Sequence, residues 1–121
     1  MVKKLVISGL WITLLEFGRN EILFKSYWVN HYQALGLKFE TTPINGVLWI
    51  VWSFVFAYII YEMQTKFSVI KMFWLSWLTA FVMMWITLFN LQVLPVTLLC
   101  FAVPMSMLEV SGAIFIDRAL K

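Results

Sequence analysis

Four apolar runs, each near the length of one bilayer crossing, dominate this chain and leave it little choice of environment. A helix needs about 20 residues to cross a hydrocarbon core about 30 Å thick. The runs over residues 5–24, 44–61, 69–90 and 96–116 each come close to that length. Backbone surrounded by lipid must satisfy its own hydrogen bonds, so the runs are expected as helices. The expectation is an all-α integral membrane protein, a single four-helix transmembrane bundle filling residues 1–121.

Composition excludes the alternatives. Of the 121 residues, 63% are hydrophobic and 12% charged, and the mean hydropathy is +0.89. A soluble domain carries about 25% charged residues, enough to cover its surface. A small secreted scaffold also tolerates few charges, but it needs paired cysteines and this chain has only Cys100. The formal charge of +3 does not mark a nucleic-acid partner, because the nine basic residues are scattered around the ends of the apolar runs. An aromatic content of 18% suits anchoring at both membrane interfaces. The partner these features imply is a lipid bilayer. Met1-Val2-Lys3-Lys4 before an apolar stretch imitates a signal peptide. No small-x-small cleavage site follows, so the stretch is read as a helix of the mature protein.

Between the first two runs, Tyr27, Trp28, Tyr32 and Leu35 recur at helical spacing, with Ser26, Asn30 and Gln33 elsewhere on the wheel and Gly36 as a stop. This reads as a short amphipathic helix in the interface or, alternatively, as an irregular aromatic loop. Thr42-Pro43 starts the second span, with threonine as cap and proline in the first turn. Ser68 caps the third. Residues 91–95 form a connection so short that the third and fourth helices should be antiparallel neighbours. Lys3, Lys4, Lys66, Lys71, Arg118 and Lys121 fall on one side of this layout, Lys25 and Lys38 on the other. Six against two places both termini in the cytoplasm of a cell (inner or plasma) membrane.

Glu16, Arg19 and Asn20 interrupt the first run three and four positions apart, on one helical face. A charge at the bilayer centre costs at least about 3 kcal/mol, so this face should turn inward and find partners. Glu109 lies about 10 Å from the inner end of the fourth run and Glu16 about 16 Å from the start of the first, at 1.5 Å per residue. The two acids are therefore at similar depth, with Arg19 within reach of both. One reading is an ion-paired knot that only fixes packing. The other is a proton or cation site, since two acids sharing one cation separate their protonation steps.

Ser76, Thr79 and Thr87 continue a small and polar stripe along the third run, and Asn45, Trp49 and Trp52 mark a face of the second. Packing glue is the common use of such stripes; the sharper use is to line a substrate path. Trp49 and Trp52 would then offer an aromatic wall to an organic cation. Pro104 should bend the fourth helix about one turn before Glu109. Cys100 is expected as a small buried hydrophobe, and His31 as a polar tip at headgroup level. No ligand spacing, nucleophile motif or phosphate loop is present, so neither a metal, a cofactor nor an enzymatic activity is expected.

Four spans in about 120 residues with Glu16 in the first helix resemble the small multidrug resistance exporters. That resemblance implies a proton-coupled dimer whose first-helix glutamate binds proton or cationic drug. Arg19 one turn away, the long first connection and the second acid Glu109 depart from that family. The segments Phe24-Lys25-Ser26-Tyr27-Trp28, Leu35-Gly36-Leu37 and Pro43-Ile44-Asn45-Gly46 are similar to those of uncharacterised small four-helix bacterial membrane proteins, which implies a fold but no activity. Two functional expectations follow: a proton- or cation-linked small transporter using Glu16 and Glu109, or a non-enzymatic accessory subunit of a larger membrane complex. A bundle this small suggests a homodimer or a larger assembly in either case.

Overall fold

A computed structural model describes residues 1–40 and 42–120, which form five helices and no strand. Helix α1 runs from Val2 to Phe17 and continues without a break as a π-helical turn, Gly18–Leu23. Helix α2 is Lys25–Ala34 and α3 is Pro43–Met63. Helix α4 spans Val69–Asn90, with a π-helical stretch at Leu78–Val82, and α5 spans Val96–Ala119, opening with a 3-10 turn over Val96–Leu98.

Three of these helices, α3, α4 and α5, are long and apolar enough to cross a membrane. Within their most apolar stretches only 22%, 17% and 33% of the residues are buried inside the chain. Side chains such as Ile70, Ile86 and Phe115 point outward, as lipid permits and water does not. Helix α1 differs because Lys3, Lys4, Glu16, Arg19 and Glu21 interrupt it.

The helix ends follow from local chemistry. Pro43 occupies the first turn of α3, where its missing N–H needs no partner, and Asn45 Oδ1 accepts the Thr42 backbone N–H at 3.2 Å. Ser68 Oγ accepts the Lys71 N–H at 3.4 Å at the start of α4. Helix α2 stops at Gly36, whose φ of +72° lets the N–H groups of Gly36 and Leu37 turn back to the carbonyls of Gln33 and Tyr32. Helix α4 closes with the same two-bond pattern, from Gln92 and Val93 to Phe89 and Leu88, but a glutamine at φ +60° takes the glycine's place.

Helix α1 packs mainly against α3 and α5, and α4 packs against α5. Close approach depends on two glycines: a Cβ on Gly9 would come within 2.7 Å of the Phe54 ring, and one on Gly112 would overlap the Trp11 indole. Ile12, Ile60, Met72, Phe81, Val110 and Ala113 are fully buried where the helices meet. Lipid tails are as apolar as these side chains, so close packing and interhelical hydrogen bonds, not transfer out of water, hold such a contact together.

Several side chains depart from the sequence expectation. Cys100 is exposed on the outside of α5 and is not a buried hydrophobe. The polar stripe of α4 is not continuous. Ser76 is buried, but Thr79 and Thr87 are exposed and turn their hydroxyls back to the carbonyls of Leu75 (2.6 Å) and Met83 (2.9 Å). The π-helical stretch Leu78–Val82 contains Thr79 and precedes Thr87, and its wider turn shifts the face that later residues present.

Candidate functional site

The charged residues of α1 and α5 meet in the interior. Arg19 is 4% exposed, Glu16 2% and Glu109 0%, so the three are effectively out of solvent. Arg19 Nη1 donates to Glu109 Oε2 at 3.0 Å, and Nη2 donates to Glu16 Oε1. Asn20 Nδ2 donates to Glu16 Oε2 at 2.9 Å and to the Glu16 carbonyl at 3.1 Å. The guanidinium thus bridges acids from two helices in its planar fork, and lies 5.2 Å from the centre of the Phe81 ring. Glu109 Oε1 is buried with no hydrogen-bond partner among the described residues.

Local structure aims these groups. The π turn begins one residue before Arg19, and the Phe24 N–H bonds back to the Arg19 carbonyl at 2.9 Å across five residues. Glu109 is fixed from the other side, where Trp11 Nε1 donates to its backbone carbonyl at 3.0 Å.

Outward from the cluster, a cavity of about 460 Å³ reaches from Arg19 and Asn20 to the chain between α2 and α3. Its walls are aromatic, with Phe24, Trp28, Tyr32, Phe39, Trp49 and Trp85, and charged Glu21, Lys38 and Glu40 also line it. Phe39 closes one side by stacking on Trp28 at 6.3 Å and meeting Tyr32 edge-on at 5.0 Å. Helix α2 is held over this region by His31, whose Nε2 lies 3.0 Å from the Gln92 carbonyl in the α4–α5 turn.

Of the residues singled out from sequence, Glu16, Arg19, Asn20 and Glu109 come together, and Asn45 and Trp49 line the cavity above them. Trp52 packs instead between Phe56 and Phe81, with ring centres at 5.3 and 6.1 Å. Ser76 is buried with its Oγ 3.9 Å from Met63 Sδ, and Thr79 and Thr87 lie outside the cavity lining.

A second buried polar pair joins the same two helices. Ser8 Oγ donates to Asp117 Oδ1 at 2.7 Å, both residues are fully buried, and Asp117 Oδ2 has no partner among the described residues. Nearby, Lys4 Nζ donates to Gln64 Oε1 at 3.0 Å. Asp117 lies about 12 Å along α5 from Glu109, at 1.5 Å per residue, and Ser8 and Glu16 keep the same interval on α1. Ile12, Val110 and Ala113 fill the space between the two levels and are completely buried. An acid placed directly after the last apolar run was the available signal for this pair.

No cluster of three His, Cys, Asp or Glu capable of holding a metal ion occurs among the described residues. No protein-family model, curated protein or solved structure matches this chain.

Proposed function

We propose that the protein is a small proton- or cation-linked transporter in which the Glu16–Arg19–Glu109 cluster is the coupling site and the aromatic cavity admits the substrate. In this reading α1, α3, α4 and α5 span a cell membrane, α2 lies along its outer interface, and both termini are cytoplasmic. The excess of basic residues at the end shared by Lys3, Lys4, Lys66, Lys71 and Arg118 supports that orientation. Reporter fusions in the α3–α4 turn and after residue 121 should both report cytoplasm; an external signal at either overturns it.

The observation that carries the reading is an aromatic cavity lined in part by Arg19 and Asn20, which belong to a buried cluster with an unequal charge count. Two carboxyl groups face one guanidinium, so the cluster balances only when it holds one more positive charge, a proton or a cation. Glu109 Oε1, buried and without a donor among the described residues, is the atom that would take it. A small organic cation is the substrate class this reading favours, because the indoles of Trp28, Trp49 and Trp85 line the cavity and its acids Glu21 and Glu40 offset the cations Arg19 and Lys38 of the same lining. Such a cation and a proton compete to supply the same missing charge, and that competition makes exchange possible.

The test is binding of quaternary ammonium compounds to the full chain in nanodiscs, read by tryptophan fluorescence, with proton release measured in weak buffer. Saturable quenching accompanied by proton release that disappears in Glu109→Gln supports the proposal. Quenching without proton release, or no binding across a broad cation panel, overturns it.

A further inference from the structure

The end of the bundle that carries both termini holds a second concavity, unrelated to the aromatic cavity. A groove of about 480 Å³ runs between the start of α4 and the end of α5, walled by Ile70, Phe73, Trp74, Ile114 and Phe115, with Arg118 at one end. It lies between two helices that are long and apolar enough to cross a membrane, so its natural filling is an acyl chain.

Its charged end is not the usual exposed arginine. Arg118 Nη2 donates to the Phe67 carbonyl at 2.9 Å and lies 3.4 Å from Met72 Sδ, which orients the guanidinium and leaves Nη1 and Nε without a partner among the described residues. Lys71 Nζ sits 4.8 Å from the centre of the Phe67 ring. Phe67 thus carries one cation on its carbonyl and another over its ring; Arg118 belongs to the groove lining, and Lys71 follows Ile70 of that lining in sequence. Among the described residues neither forms an ion pair with a carboxylate.

We propose that this groove is a binding site for one anionic phospholipid, with an acyl chain against Trp74 and Phe115 and the phosphodiester on Arg118 and Lys71. The match lies in the distribution of chemistry. The groove is apolar along its walls and cationic at one end only, level with the helix termini, as an amphiphile with a charged head requires. A transmembrane helix of a second copy would fill the apolar part but leave both cations unpaired. Arginine's planar fork suits a phosphate, and a basic pocket between helices at this level is where acidic headgroups bind. The inference rests on the membrane-capable helices and not on the transport reading, so failure of transport leaves it standing.

Trp74 is a reporter already in place, being 48% exposed in the groove wall. The full chain is reconstituted in phosphatidylcholine vesicles containing a minor, equal fraction of brominated phosphatidylglycerol or brominated phosphatidylcholine. The Trp74 signal is taken as the difference between the native chain and Trp74→Phe. Quenching by the brominated anionic lipid should exceed that by the zwitterionic one. At about 1 kcal/mol per basic residue the apparent affinity should drop on the order of fivefold in either Arg118→Gln or Lys71→Gln. Equal quenching by the two lipids in the native chain overturns the proposal without recourse to any variant. Absence of quenching by both also overturns it, since the groove is then covered by protein.

Discussion

Trp11 on α1 lies against Gly112 on α5 and donates its indole N–H to the carbonyl of Glu109 at 3.0 Å. One side chain thereby sets the separation of the two helices that carry the charged cluster, and does so from within one turn of the acid. Gly112→Ala places a methyl where the indole ring is, so the ring or the helix must shift. Overpacking of this kind costs about 1–3 kcal/mol. The expected result is a lower unfolding midpoint in detergent, with Trp11→Phe partly relieving the alanine variant. Equal midpoints for Gly112→Ala and the native chain would show that α1 and α5 do not make this contact.

Arg19 is the sole cation between Glu16 and Glu109 among the described residues. Removing it as Arg19→Met leaves two acids buried together without a counter-charge, and breaking a buried pair from one side costs about 3–5 kcal/mol. Replacing the whole set, as Glu16→Gln, Arg19→Met and Glu109→Gln, removes the unpaired charge along with the pairing. The triple variant should therefore be more stable than Arg19→Met alone. Thermal unfolding across pH 5 to 8, a range of about three units around neutrality, checks the order. If the single variant matches the native chain throughout, the two acids are not joined through Arg19.

Ser8 holds Asp117 by one hydrogen bond of 2.7 Å in a fully buried position. Ser8→Ala removes that donor and leaves a carboxyl with no partner, at a cost of about 1–3 kcal/mol. Asp117→Ala in the same background should recover much of the loss, because the orphaned group goes with it. A double-mutant cycle measured by unfolding in detergent gives the coupling directly, and a coupling near zero means the two residues do not interact.

Gln92 closes α4 with a left-handed φ of +60°, a conformation that glycine adopts without a Cβ penalty. Gln92→Gly should stabilise the turn by about 0.5–1 kcal/mol, less the backbone freedom gained by the unfolded chain. The carbonyl that receives His31 belongs to the backbone and survives the change. A raised unfolding midpoint for Gln92→Gly, set against a lowered one for Gln92→Val, is the expected pair of results. The reverse order rules out the left-handed turn.

What the sequence determined alone is length and chemistry along the axis. The apolar runs set α3, α4 and α5 nearly to their ends, because lipid-compatible hydropathy and the punctuation of Pro43 and Ser68 are local properties. The spacing of Glu16, Arg19 and Asn20 put them on one face, and depth alone suggested Glu109 as their counterpart. Rotation about each axis was decided only in three dimensions. A helix in lipid is apolar on its packed side and its exposed side alike, so pattern does not say which way a residue faces. Thus Cys100 faces outward, Thr79 within a π-helical stretch and Thr87 after it leave the stripe, and Asp117, in a position that reads as a helix end, is buried on Ser8. The aromatic cavity draws on α2, the chain after it and residues as distant as Trp85 and Leu98. No single segment carries its signature, because its shape exists only where the helices leave a gap between them.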